Sequence, residues 1–165
     1  MSPALTGVLI AVVTVSDRSS RGERVDASGP ILAEALRSLG AEVWATTVPD
    51  GADQVEHVIR AAVAEGARVV LTSGGTGIGP RDLTPEGTAN VIARPLPGIA
   101  ERLRAVDADA VPGAVLSRGL AGLTGGTHPA IVINVAGSTE AARSAAAVLA
   151  DVLPHALSQL DGEDH

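Results

Sequence analysis

The chain has 165 residues, 45% of them apolar, and a formal net charge of −7, which suits one domain (1–165) with a substantial core. It contains no cysteine and no lysine, its twelve basic residues are all arginine, and one tryptophan is its only aromatic of the Phe, Tyr and Trp class; disulfides, thiolate metal sites, cysteine nucleophiles, Schiff bases and a P-loop lysine are excluded, and ring stacking on an aromatic cluster is disfavoured. The acidic balance without an Arg-rich stripe argues against nucleic acid, no apolar stretch reaches the ~20 residues that span a bilayer, and residues 1–7 lack the basic segment of a signal peptide, so a soluble cytoplasmic protein is expected.

Gly7 to Val15 is nearly continuously apolar and reads as a strand buried on both faces. Ser16 to Ala27 is polar and reads as a loop, with Asp17 directly after the strand. Ser28 is placed to N-cap a helix whose first turn carries Pro30 and which Gly40 ends. Ala41 to Val48 reads as a second strand, with Trp44 inside it as a core or edge residue. Pro49-Asp50-Gly51 is a turn signal, and Asp53 with Glu56 has the spacing of a capping box. Val55, Val58, Ile59, Ala62 and Val63 supply the apolar stripe of the next helix, closed by Gly66. Arg68 to Thr72 is a third strand.

That strand enters the most informative segment, V-V-L-T-S-G-G-T-G-I-G-P-R-D-L-T-P-E-G-T at 69–88. Thr84-Pro85-Glu86 reads as a helix start with Thr84 as cap. Pro95 and Pro97 break the chain, Gly98 to Val106 can form a helix, and Val111 to Ser117 is ambiguous. Leu120 to Leu123 and Ala130 to Val135 flank T-G-G-T-H-P and read as a β-hairpin. Ser138 can cap a last helix through Ala150, Pro154 is expected to interrupt any helix beyond it, and Asp161 to His165 to fray. Alternating strands and helices predict a mostly parallel sheet with helices on both faces, made mixed by the late hairpin: a three-layer α/β/α sandwich.

Glycines 74, 75, 77 and 79 allow the backbone to approach an anion and aim N–H groups at it, and Ser73 and Thr76 add hydroxyls. Neither the Walker A nor the dinucleotide-fold glycine pattern is present. A carboxylate beside bound phosphates needs a metal ion such as Mg²⁺ between them, which makes Asp82 notable; a local turn bond or an Arg81–Asp82 pair is the plainer alternative. Asp50 emerges at the same sheet end if the strands are parallel, so the two can share a metal or do acid–base work, or Asp50 can be a turn residue only. Asp17 is expected on the same rim. Arg118, after Ser117, can clamp a phosphate or form a surface ion pair. Amides of Gly137 and Ser138 at the last helix start can hold an anion, or Ser138 can simply cap. His57, His128, His155 and His165 show no zinc-ligand spacing.

These motifs resemble the Mog/MoaB family of molybdenum cofactor biosynthesis proteins, which shares its fold with the gephyrin G-domain. The resemblance rests on G-G-T-G-x-x-P-R-D-x-T-P-E at 74–86, with V-S-D-R at 15–18, D-A-S-G-P at 26–30, P-D at 49–50, P-G at 97–98, L-S-R-G at 116–119 and N-V-A-G-S at 134–138. It implies a homotrimer or hexamer. In the catalytic branch it implies adenylylation of molybdopterin by Mg-ATP, with the product passed to a molybdenum-inserting enzyme. The two aspartates important to that branch fall on Asp50 and Asp82, and the substrate-binding loop falls on Gly74 to Gly77; Ser117, Arg118, Gly137 and Ser138 match more weakly. Ala136 stands where a proline is usual and Glu140 near where a lysine is common, which removes a positive contact. A non-catalytic MoaB-type pterin carrier, and more distantly a scaffold, remain the alternatives; an intact P-R-D favours the enzyme.

Overall fold

A computed structural model describes residues 4–163. Strands β1 (Leu9–Val15), β2 (Glu42–Val48), β3 (Val69–Ser73), β4 (Ile92–Pro95), β5 (Ala121–Thr124) and β6 (Ile131–Val135) form one sheet in the order β2-β1-β3-β6-β5-β4. The first four in that order run parallel, and β5 runs antiparallel to both β6 and β4. The expected mixed α/β sandwich with its late hairpin is therefore what the chain forms.

Burial on both faces explains the apolar runs. Successive side chains of a strand point to opposite faces. Ile10, Val12, Val69, Leu71, Ile131 and Ile133 pack under α2 (Ser28–Ser38), α5 (Pro97–Ala108) and α6 (Thr139–Leu160), while Ala11, Val13, Val70 and Val132 pack under α3 (Ala52–Ala64). α1 (Asp17–Ser20) and α4 (Thr84–Ala89) are short, and Pro112–Leu116 forms a 3-10 turn.

The structure corrects several local expectations. The segment after β1 is not all loop: Ser16 Oγ accepts from the Ser19 N–H and starts α1. Ala27, not Ser28, caps α2, because the Asp26 carboxylate takes the Gly29 N–H at 3.1 Å. Asp53 is no cap either, since Gly51 at φ 137° holds that position. Thr84 lies inside α4 behind Leu83, its hydroxyl drawn away to the Gly74 carbonyl at 2.9 Å. Trp44 sits on edge strand β2 with 40% of its surface exposed. β4 has no counterpart among the elements expected from sequence; it is the opposite edge, where Pro95 forfeits no ladder bond that the sheet needs.

Pro154 does not break the last helix, which continues from Thr139 to Leu160. Leu149, Leu153 and Leu157 recur every four residues and are all buried, facing α2. Each buried leucine contributes about 2 kcal/mol, against about 3 kcal/mol lost at an interior proline, so burial wins. Asp161, in the tail expected to fray, pairs with Arg68 at 2.7 Å; residues 164 and 165 lie outside the described range.

Asn134 on β6 ties three elements together. Its amide Nδ2 donates to Thr72 at 2.9 Å and Thr88 at 2.8 Å, and its Oδ1 accepts from the Leu120 N–H at 3.0 Å. Replacing it with alanine leaves those buried groups without partners and is expected to cost about 2–4 kcal/mol, read as a lower midpoint in urea unfolding with an unchanged slope.

Candidate functional site

Parallel strands deliver their carboxyl ends to one edge, and ligands of such sheets bind where the strand order reverses. In β2-β1-β3 that reversal lies between β1 and β3. The loops leaving these two strands carry Asp17 and the glycine segment, and β2 adds Asp50 beside them.

The carboxylates of two adjoining strand ends bracket each other. The Asp17 N–H donates to Asp50 Oδ2 at 2.8 Å, and the Asp50 N–H donates to Asp17 Oδ1 at 3.1 Å. Arg81 reaches back from the glycine loop and grips both Asp17 oxygens at 3.0 Å while donating to the Asp50 carbonyl at 3.0 Å. The Arg81 guanidinium thereby holds the Asp17 carboxyl below the usual carboxylate range. Arg81 pairs with Asp17 across the site, not with its neighbour Asp82.

Asp50 Oδ1 faces the glycine loop: a Cβ on Gly75 would stand 3.1 Å from it. Asp82 folds into the same loop, where its Oδ2 accepts the Gly79 N–H at 2.9 Å. Side chains at Gly77 or Gly79 would come within 2.9 and 2.8 Å of that oxygen, so glycine makes room for the carboxylate. Gly74 donates its N–H to Val135 at 2.9 Å and leaves no space for a Cβ against the Val15 carbonyl. Gly137 packs on it from the β6 side, with its Cβ position 3.2 Å from the Gly74 Cα.

Beside that contact lie two clefts of about 280 Å³ each, which share Gly137, Ser138 and Glu140 in their linings. One is lined by hydroxyls, from Ser16, Ser28, Ser73 and Ser138, with Arg24 and Asp26 alongside. The other is more apolar, walled by Val111, Ala114 and Leu116 and bordered by Thr76 and Ser117. Glu140 borders both. Ser138 caps α6 by accepting the Ala141 N–H at 3.0 Å. Ser73 is buried and donates to Ser28 at 2.8 Å, and Ser117 donates to Thr76 at 3.2 Å.

Arg118 is inside the loop assembly. Its Nε donates to the Gly77 carbonyl at 2.8 Å, its Nη2 to the Asp82 carbonyl at 2.6 Å, and it forms an ion pair with Glu86. It buckles both ends of the glycine loop to β5's approach. Arg118 in turn holds the Glu86 carboxyl below the ordinary glutamate range. A carboxylate whose folded value is depressed contributes its stabilisation above its unfolded value, and that contribution is lost as pH falls through the folded one. The Arg118–Glu86 pair is therefore expected to hold through neutrality and to be lost only as pH falls below the ordinary glutamate range. The Arg118 Nη–H resonances, which report the Glu86 bonds, should shift there, and Glu86→Gln should abolish that transition.

Sequence reasoning grouped Asp17, Asp50, Asp82, Ser73 to Gly77, Ser117, Arg118, Gly137 and Ser138, and the fold does bring these positions to one sheet edge. It missed Asp26, which accepts from Thr14 at 2.6 Å and anchors the α2 start, and the partners of Arg81 and Glu86. The D-A-S-G-P and P-R-D motifs contained these residues, but no local signal gave their partners. His57 and His128 are exposed, away from any metal-ligand grouping. Among the described residues no group of three His, Cys, Asp or Glu side chains is placed to hold a metal.

The model of the family described as "Probable molybdopterin binding domain" matches residues 11–155. A molybdenum cofactor biosynthesis bifunctional protein of Synechococcus elongatus is 40% identical over 163 residues, covering 98% of this chain and 50% of that protein; the chain thus spans about half the length of such bifunctional relatives. A molybdopterin adenylyltransferase of Pyrococcus furiosus is 36% identical, with 88% of this chain and 87% of that protein covered. Among solved structures, the Mog protein of Mycobacterium ulcerans superimposes with a TM-score of 0.87 at 37% identity, covering 93% of this chain and 99% of that one. With the family model matching residues 11–155 and the fold superimposing on Mog and MoaB structures along most of its length, the chain belongs to the Mog/MoaB molybdopterin binding domain family.

Proposed function

We propose that this chain is a molybdopterin adenylyltransferase of molybdenum cofactor biosynthesis. An oxygen of the terminal phosphate of molybdopterin attacks the α-phosphorus of ATP. A new P–O bond forms, the α–β bridging bond breaks, and pyrophosphate leaves. The observation that supports the reading is that Asp50 and Asp82, from separate strand ends, each face the glycine loop, Asp50 at Gly75 and Asp82 at Gly77 and Gly79.

The donor set fits Mg²⁺ arriving with a nucleotide. Mg²⁺ is usually held by one or two carboxylates plus substrate phosphates and waters rather than by an all-protein cage, and Asp50 and Asp82, which face the glycine loop while Asp17 is taken up by Arg81, are the carboxylates that would offer oxygens to it. When bound, the ion would neutralise phosphate charge. The chain's own groups do the rest. Asp50 and Asp82 orient what lies against the loop, glycine amides and hydroxyls receive phosphate oxygens, and the two clefts hold the two substrates side by side. Phosphoryl-type transfer needs such positioning and charge neutralisation rather than a covalent nucleophile, which suits a chain without lysine or cysteine.

In this reading the product passes to a molybdenum-inserting enzyme, the chain works in the cytoplasm, and it assembles as a trimer or hexamer. No described helix is long and apolar enough to cross a membrane. A carrier that binds molybdopterin without transferring AMP is the second reading. It is favoured by Glu140, whose charge borders both clefts, and by Arg81 and Arg118 being engaged with carboxylates. Incubation with molybdopterin and Mg-ATP labelled at the α-phosphate decides between them: labelled adenylyl-molybdopterin with release of pyrophosphate supports the transferase, and pterin binding without label transfer supports the carrier.

A further inference from the structure

We infer that Asp17 is a positioning residue that sets the Asp50 carboxylate, not a ligand of the substrate. The inference rests on Asp50 acting as proposed above. Asp17 Oδ1 already accepts from the Asp50 N–H and from Arg81, and its Oδ2 accepts from Arg81 Nε. A carboxylate so engaged has little left to offer a ligand. Its own N–H pins Asp50 Oδ2 at 2.8 Å. Asp17 and Asp50 therefore close a ring of two hydrogen bonds across the ends of β1 and β2, which are already in register at Val15 and Val48.

This ring has a directional consequence. With Oδ2 pinned, the Asp50 carboxylate can present only Oδ1 to the glycine loop, on the side where Gly75 lacks a Cβ. Arg81 adds a third tie, to the Asp50 carbonyl, and its positive charge, bonded to the Asp17 carboxylate, also attracts that of Asp50. Arg81 is itself 62% exposed at the side chain, so the ring is the inner constraint and Arg81 the outer one. The role assigned to Asp17 is therefore geometric first and electrostatic second.

Two variants separate geometry from charge. Asp17→Asn keeps a carbonyl oxygen for the Asp50 N–H and loses the charge. Asp17→Glu keeps the charge and moves it one methylene away from the ring. A positioning role predicts that D17E lowers kcat by about tenfold or more while D17N lowers it by no more than about threefold, with KM for both substrates within about twofold of wild type in each. The Asp50 amide resonance should move in D17E and stay near its wild-type position in D17N. A tenfold rise in KM for either substrate in both variants would show Asp17 to be a substrate ligand and overturn the inference. So would the reverse order of activities, or wild-type kcat in both with only a lower melting temperature. If the wild type makes no adenylylated product, it is adenylyl transfer that fails; the Asp50 amide shifts then decide the positioning role by themselves.

Discussion

Asp82→Ala is expected to lower adenylyl transfer by at least about 100-fold while leaving the fold in place. The side chain makes one hydrogen bond within the protein, to the Gly79 N–H, and it sits on a loop rather than in the core. Removing it should cost only about 1 kcal/mol in urea unfolding. The loss of activity follows from where the oxygen lies. Gly77 and Gly79 leave it space inside the loop, and Asp50 Oδ1 faces the same loop from β2. With Asp17 held by Arg81, losing Asp82 removes one of the two carboxylates proposed to receive an incoming metal ion. Single-turnover formation of labelled product, beside a far-UV dichroism spectrum matching the wild type, checks both halves. Full turnover in this variant would be incompatible with the proposed mechanism.

Gly74→Ala is expected to destabilise the protein by about 2–4 kcal/mol and to abolish ligand binding. Gly74 has a φ of 107°, where an L side chain is strained, and its Cβ would overlap the Val15 carbonyl oxygen. That oxygen belongs to the backbone at the end of β1, which is held on both sides by its neighbours, so it cannot step aside. Gly137 closes the opposite flank. Gly22 supplies the control: it has a φ of 72° with no atom within 4 Å of its Cβ position, so Gly22→Ala should cost only about 1 kcal/mol. Urea midpoints of the two variants measure the difference, and equal midpoints would show that the Val15 contact is unimportant.

Both predictions concern positions that the sequence singled out, and the reason is local. A short, continuous, β-branched apolar run such as Leu9–Val15 reads as a strand covered on both faces, and a run such as Val69–Ser73 followed by four glycines within six residues points to a close approach. The alternation of strands and helices then implies parallel pairing, and parallel pairing gathers the strand ends at one edge. Asp17, Asp50 and Asp82 could be grouped on that logic before any contact was known.

What escaped was set by partners far away in the chain. Ser28, Asp53 and Thr84 all have capping chemistry, yet Ser28 bonds to Ser73 and Thr84 to Gly74, because a side chain satisfies its hydrogen bond wherever the packed fold offers a partner. Arg118 could be read as a phosphate clamp or as a surface ion pair, and only the fold supplies its partners, Glu86 and two carbonyls of the glycine loop. Pro154 looked like a stop, but three buried leucines around it outweigh the lost helical bond. β4 was invisible because a four-residue edge strand ending in proline carries almost no periodic signal.

The sequence by itself determined the sheet class and placed Asp17, Asp50 and the glycine loop at the carboxyl ends of neighbouring strands, because burial period and glycine geometry are written in consecutive residues. Only the tertiary structure decided which arginine holds which carboxylate, which oxygen of Asp50 faces the loop, and which residues line the two clefts beside Gly137. Those depend on strand order, which brings together residues dozens of positions apart and leaves no local trace.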